Sequence, residues 1–152
     1  MILSLDVATK CGWALGDLTT IEASGVWDFS VKKDESSGMR LVRFKTKLHE
    51  LFSTRKIELV TFERSAGMHK APIIVQSELH GVLKVVCEDL GIKYKAYSAK
   101  EIKKFATDKG NANKEAMMLA LFNKHGIRKF DDNEVDAIWI LKLTQKDFEY
   151  GI

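Results

Sequence analysis

Two short apolar runs, "ILSLDV" at 2–7 and "IELVTFE" at 57–63, each carry a carboxylate at or near their carboxyl end. Both have the length and composition of a buried strand. An acid in such a setting costs desolvation energy unless something cationic meets it. In open α/β sheets, ligands bind outside the carboxyl ends of the strands. Asp6 and Glu63 therefore fix more than two strands: they mark one edge of a sheet as chemically active. If the two strands are neighbours, the acids repel, which raises a pKa or demands a metal.

The remaining pattern supplies the rest of such a sheet. "CGWALGD" reads as a second strand reached by a tight turn, and "TIEASGVWDF" as a third, short, β-branched and aromatic. From Ser36 to about Phe52 the period changes to that of an amphipathic helix, carried by Met39, Leu41, Val42, Leu48, Leu51 and Phe52. A second helix is predicted over 73–90 through Val75, Leu79, Val82, Val86 and Leu90, with Gly91 to end it. Ile74, Leu83 and Cys87 widen its apolar arc, which suits either complete burial or a second packing surface for a partner chain. "IKYKAY" is a fifth strand. "SAKEIKKFA" opens with the serine-to-acid spacing of a capping box, and two further helices follow over 113–125 and 132–148. The expectation is one α/β domain spanning residues 1–152, a mixed five-stranded sheet with helices on both faces.

A third acidic feature lies in "DDNEVDAIWI". Asp132 and Asp136 are one helical turn apart and share a face. Val135, Ile138 and Trp139 fall on the packing side, so the acidic face is expected to look outward. Acids at a helix amino terminus cap free amides and complement the dipole, which accounts for Asp131 and Asp132. Asp136 is already a turn inside and is not explained as a cap. Oxygen ligands without a nearby His/Cys cluster point to a hard cation such as Mg²⁺ or Mn²⁺. Two such ions about 3.5–4 Å apart are the usual arrangement for phosphodiester hydrolysis.

Charge adds a direction. The net charge is only +3, yet "KYKAYSAKEIKKFATDKGNANK" holds seven lysines against Glu101 and Asp108, a local excess of five. A patch of this kind on a nearly neutral chain is a signature of a polyanion surface, though a solvated helix face has the same composition. Cys11 and Cys87 form no CxxC or metal spacing, so reduced thiols and a cytoplasmic setting are expected. No apolar run approaches the roughly 18 residues of a membrane span, and no signal-peptide pattern opens the sequence. No membrane partner is expected.

Taken in order, "LDVATKCGWAL", "VTFERSAGMHKA", "SAKEIKKFATDKGNANK" and "DDNEVDAIWI" resemble the RNase H-like nucleases, and among them the RuvC family of Holliday junction resolvases, in a phage-encoded form. The resemblance runs over nearly the whole chain. It implies an RNase H-like fold and a metal-dependent endonuclease acting on branched DNA, Holliday junctions and forks, as a homodimer. Hydrolysis would leave a 5′-phosphate and a 3′-hydroxyl, with two Mg²⁺ ions per site. Asp6 matches the family's first-strand aspartate, Glu63 its fourth-strand glutamate, and Asp136 the last aspartate of its C-terminal helix. The remaining family acid stands three residues before the last, where this chain has Asn133. Asp132 is the substitute on the Asp136 face, with Glu134 as the other option.

The resemblance extends to Lys103 and Lys114, which match two lysines near the cleavage site, with Lys104 and Lys109 as supporting phosphate contacts. The loop "RSAGMHKAP" would approach the junction centre, with Met68 as an apolar wedge and Arg64, His69 and Lys70 at phosphates. His49, His80 and His125 read as structural, and Trp13, Trp27 and Trp139 as core. Two other classes remain open. An actin-like phosphotransferase shares the Asp-small-Gly opening but needs two such lobes. A DNA-binding or assembly module that has lost the chemistry is favoured by Asn133.

Overall fold

The structure, a computed structural model, describes residues 1–65 and 71–149. The elements are β1 (Ile2–Asp6), β2 (Lys10–Gly16), β3 (Ile21–Asp28), α1 (Gly38–Thr54), β4 (Leu59–Glu63), α2 (Ala71–Leu90), β5 (Lys93–Tyr97), α3 (Ala99–Thr107), α4 (Lys114–His125) and α5 (Asp132–Asp147). Each matches an element predicted from sequence, with ends shifted by at most two residues. The two-residue shifts are at α1 and at the start of α2 and β4. In α2 the shift has a simple cause: Pro72 lies in the first turn, where its missing N–H has no helical partner to lose.

The sheet runs β3-β2-β1-β4-β5. The three amino-terminal strands form an antiparallel meander, and β1–β4 and β4–β5 pair in parallel. Strand alternation then sorts the side chains. Leu3, Leu5, Val7, Val60 and Phe62 pack beneath α1 and α2, against Phe44, Leu48, Leu79, Leu83, Val86 and Cys87. Ile2, Ala14, Leu59 and Tyr97 face the other way, under α3, α4 and α5. Leu83 and Cys87 are fully buried, so the inner part of the broad α2 arc is core, while Ile74 and Val85 stand exposed on its outer side.

Local signals hold the helix ends. Ser98 Oγ accepts from the Glu101 N–H at 3.1 Å while the Glu101 carboxylate accepts from the Ser98 N–H at 2.7 Å, the predicted capping box. Gly91, at φ +68, follows the end of α2 in the left-handed region that only glycine adopts without strain. Asp131 caps α5, its Oδ1 accepting from the N–H groups of Asn133 and Glu134 at 2.8 and 3.2 Å. Trp139 is core, its indole N–H donating to the Met117 carbonyl at 3.0 Å. Trp13 and Trp27 stack on each other with centroids 5.5 Å apart and lie half-buried against the α1 side of the sheet.

One expectation needs correction. The acidic face of α5 does not look outward: the helix lies across β1 and β2 with core residues on both flanks, so Asp136 points down at the sheet edge. Gly12 in β2 lies directly under the amino end of α5. A Cβ there would stand 1.8 Å from the Asn133 carbonyl oxygen, so this glycine exists to let the amino end of α5 sit directly on β2.

Candidate active site

The parallel pairing of β1 and β4 ends at Leu5 opposite Phe62, which brings Asp6 and Glu63 level on adjacent strands. By alternation Asp6 shares a face with Ser4, and Glu63 with Thr61. Both therefore lie on the α5 side. Along α5 the residues facing that column recur every four positions: Asp132, Asp136, Ile140 and Thr144. Deep under the helix, Ser4 Oγ and Thr61 Oγ1 are 2.7 Å apart. Thr144 Oγ1 meets Thr61 at 2.9 Å and donates to the Ile140 carbonyl at 2.8 Å. Two turns toward the amino end of the same helix, hydroxyls give way to carboxylates.

Those carboxylates disturb one another. Asp6 has its pKa pushed well above the usual carboxylate range, first by burial and then by the charges of Asp136, Glu63, Asp132 and Asp131. Asp136 is pushed up to about 7, by burial first and then by Glu63 and Asp132, with Lys103 and Lys114 pulling the other way. Glu63 is raised by burial, opposed by Lys103. Burial and neighbouring charge are what act on these three groups; no hydrogen bond from a described protein group offsets them.

The structure thus gathers Asp6, Glu63, Asp132 and Asp136, with Lys103 and Lys114 beside them. Lys114 Nζ stands 3.2 Å from Asp132 Oδ2. Glu134, the other option for the fourth acid, turns the opposite way. Only 13% exposed, it accepts from Ser24 Oγ at 2.6 Å and pairs with Lys129 at 3.4 Å, which ties it to β3.

The other residues singled out in the sequence are dispersed. Arg64 pairs with Glu101 at 3.6 Å beside Glu63. Lys109 is exposed just after Asp108, a residue held at φ 65. Lys104 lines a cavity of about 660 Å³ with Phe105, Lys124, Trp139 and Lys146, and none of the four acids lines it. Met68, His69 and Lys70 lie outside the described residues.

Behind the site, His80 is structural, as read from the sequence, while Thr144 is not singled out there. His80 packs its ring 4.9 Å from Phe62 and meets Ser65 Oγ through Nδ1 at 3.1 Å, under the chain that follows Glu63. Burial drops its pKa to about 4, so it is a neutral ring at neutral pH. Thr144 carried a signal: it lies eight residues after Asp136, on the same face.

An all-oxygen, mutually repelling donor set is the chemistry that a hard divalent cation satisfies. As they stand, no three His, Cys, Asp or Glu side chains among the described residues are arranged to hold an ion. The donor chemistry of Asp6, Glu63, Asp132 and Asp136 fits a hard cation.

No sequence-family model matches the chain, and no curated protein matches it. Solved structures do. A RuvC from T. thermophilus, in complex with a Holliday junction substrate, superposes with a TM-score of 0.78. It is 18% identical, and the match covers 96% of this chain and 93% of that one. The fold is that of RuvC. A second structure of Thermus thermophilus RuvC gives a TM-score of 0.74 at 17% identity, covering 96% and 94%. With the RuvC fold, the mixed sheet and the helices on both its faces agree with the architecture expected from sequence.

Proposed function

We propose that the chain is a structure-selective endodeoxyribonuclease of the Holliday junction resolvase type, hydrolysing phosphodiester bonds in branched DNA. One observation carries this reading. On a RuvC fold, carboxylates from three separate elements meet at the carboxyl edge of the sheet, repel one another without hydrogen-bond relief, and have two lysines alongside. A fold does not keep such an arrangement for stability, since each buried anion opposes folding.

In this reading Asp6, Glu63, Asp132 and Asp136 hold two Mg²⁺ ions, which Mn²⁺ can replace. Divalent cations there supply Lewis acidity to the scissile phosphate and a lowered pKa to the attacking water. Lys103, half-buried beside Glu63, and Lys114, at the head of α4, hold the strand and offset charge that develops in the transition state. Arg64, Lys104 and Lys109 serve as outer phosphate contacts, which position the duplex arms without reading sequence. Cleavage leaves a 5′-phosphate. The exposed Ile74 and Val85 on the outer side of α2 form the surface through which two copies associate, giving the twofold symmetry a four-way junction requires.

Mg²⁺-dependent cleavage of a synthetic four-way junction, compared with linear duplex of the same sequence, tests the reading. Nicking confined to the junction, abolished by chelation and by Asp6→Asn, supports it. Junction binding with no cleavage at any divalent metal would instead support the non-catalytic DNA-binding module to which Asn133 points.

A further inference from the structure

The amino ends of α4 and α5 meet at the ion pair between Lys114 and Asp132. A groove of about 400 Å³ is lined by the residues of α4 that follow Lys114 and by the segment that precedes Asp131. One wall is the outer face of α4, through Glu115, Met118, Leu119 and Phe122; the other is the segment 128–130 that leads into Asp131 and Asp132. The groove is apolar and open to solvent. Phe130 is 78% exposed, Leu119 60% and Phe122 41%. The Arg128 guanidinium lies 4.4 Å over the Phe122 ring. Met118 packs against the core under α5, whereas Leu119, Phe122 and Phe130 belong to neither core cluster.

We propose that this groove is a stacking site for one unpaired base of the DNA, next to the phosphate that is cut, with Phe130 as the principal stacking surface. The inference rests on the nuclease reading for its substrate. Three features select a base over another occupant. Both of its walls lead along the chain to the acidic site, α4 to Lys114 and the 128–130 segment to Asp132, so a strand held at Lys114 has its neighbouring nucleotide within reach of the groove. Its walls carry Phe122 and Phe130, with the Arg128 guanidinium over the Phe122 ring, a surface that attracts a π-face and sits beside phosphate without repulsion. It is also a small groove, short of the roughly 1,000 Å² that a stable protein interface buries. A branch point supplies bases whose unstacking costs least.

The test uses the intact protein and a four-way junction with 2-aminopurine at the crossover nucleotides, first under chelation, then with Mg²⁺. Phe130→Ala is expected to weaken binding about 5- to 150-fold and to abolish the fluorescence change on binding, and Phe130→Trp to restore both. Because Phe130 is exposed, neither variant should change the melting temperature appreciably. Wild-type affinity, fluorescence change and cleavage in Phe130→Ala would overturn the stacking site while leaving the nuclease reading intact. Loss of self-association in Phe130→Ala, with affinity per protomer unchanged, would also overturn it and assign the groove to a second copy. A wild-type protein that never cleaves, yet binds through Phe130, would sink the nuclease reading and keep the stacking site.

Discussion

Two polar clusters lie under the same helix, on the same face of the same two strands, and they are in opposite condition. Ser4, Thr61 and Thr144 close on each other at 2.7 and 2.9 Å and are fully buried. Asp6 and Glu63, one alternation further along β1 and β4, and Asp136 on the helix above repel one another, with Lys103 and Lys114 easing the charge on Glu63 and Asp136. The hydroxyls behave as core, since each buried donor finds an acceptor. The carboxylates remain in mutual repulsion, without a hydrogen bond from a described protein group. Two residues of strand separate the two conditions.

The largest expected effect comes from Asp6→Asn. Removing one ligand charge should lower cleavage of a four-way junction by about 10³-fold, the scale of several kcal/mol of charge stabilisation. Junction binding measured by gel shift should remain within a few-fold, because the lysines are untouched. Binding lost together with cleavage would mean that Asp6 is structural, and the contrast between the clusters would fail.

The second effect is on stability against pH. Asp136 in the folded chain titrates at about 7 against an ordinary 3.8, and Asp6 is raised in the same direction. Between those values the folded state binds more protons than the unfolded one, so stability falls as pH rises. Below about pH 4 the Asp136 carboxyl is neutral in both states, and above about 7 it is charged in both. Metal-free protein should therefore lose on the order of 4 kcal/mol across that window. Thermal unfolding in chelator checks this. Mg²⁺ at pH 8, or Asp136→Asn without metal, should recover much of the loss.

The two clusters also differ in how they can be read from sequence. Asp6 and Glu63 stand out because a charge interrupts a strand pattern, and that anomaly is visible one residue at a time. Asp136 stands out because a cap cannot lie a full turn inside its helix. Ser4 and Thr61 give no such signal, since small hydroxyl residues are unremarkable in strands and their partner lies 83 residues from Thr61. The elements were legible because each carried its own period and its own punctuation, such as Ser98 with Glu101 or Gly91. The direction in which the α5 acids point was not. Val135, Ile138 and Trp139 correctly mark a buried side, but a helix laid over a sheet edge has packing on two flanks, and periodicity alone shows one. Gly12 could not be interpreted before its neighbour Asn133, 121 positions away, was in place.

That glycine supplies the third prediction. In Gly12→Ala the new Cβ meets Asn133 backbone oxygen at 1.8 Å, which no rotamer change relieves. The amino end of α5 must lift, at a cost of about 2 kcal/mol, and Asp132 and Asp136 move with it. Urea unfolding should show the destabilisation, and the Mg²⁺ concentration needed for half-maximal cleavage should rise. A stable variant with unchanged Mg²⁺ dependence would mean the helix end does not set the site. Thr61→Val, in the closed cluster, should lose about 1–2 kcal/mol by leaving Ser4 without its partner. Its cleavage rate per folded molecule should stay at the wild-type value.

The smallest effect is expected at Glu134, and it sharpens the comparison most. Asp132 and Glu134 are two residues apart on the first turn of α5, so they project from different sides of the helix. Asp132 leans toward Lys114 and adds its charge to Asp6 and Asp136, whereas Glu134 is held by Ser24 and Lys129 on β3. Glu134→Gln keeps a hydrogen-bond acceptor for Ser24 and gives up only a partly screened ion pair, worth about 0–1 kcal/mol at a surface. Its cleavage should stay within about threefold of wild type, while Asp132→Asn should lose far more under the same Mg²⁺ titration. The reverse ranking would move the fourth ligand to Glu134. It would require Ser24 and Lys129 to release that side chain when DNA and metal bind, so that the helix face chosen by the metal-free geometry is not the working one.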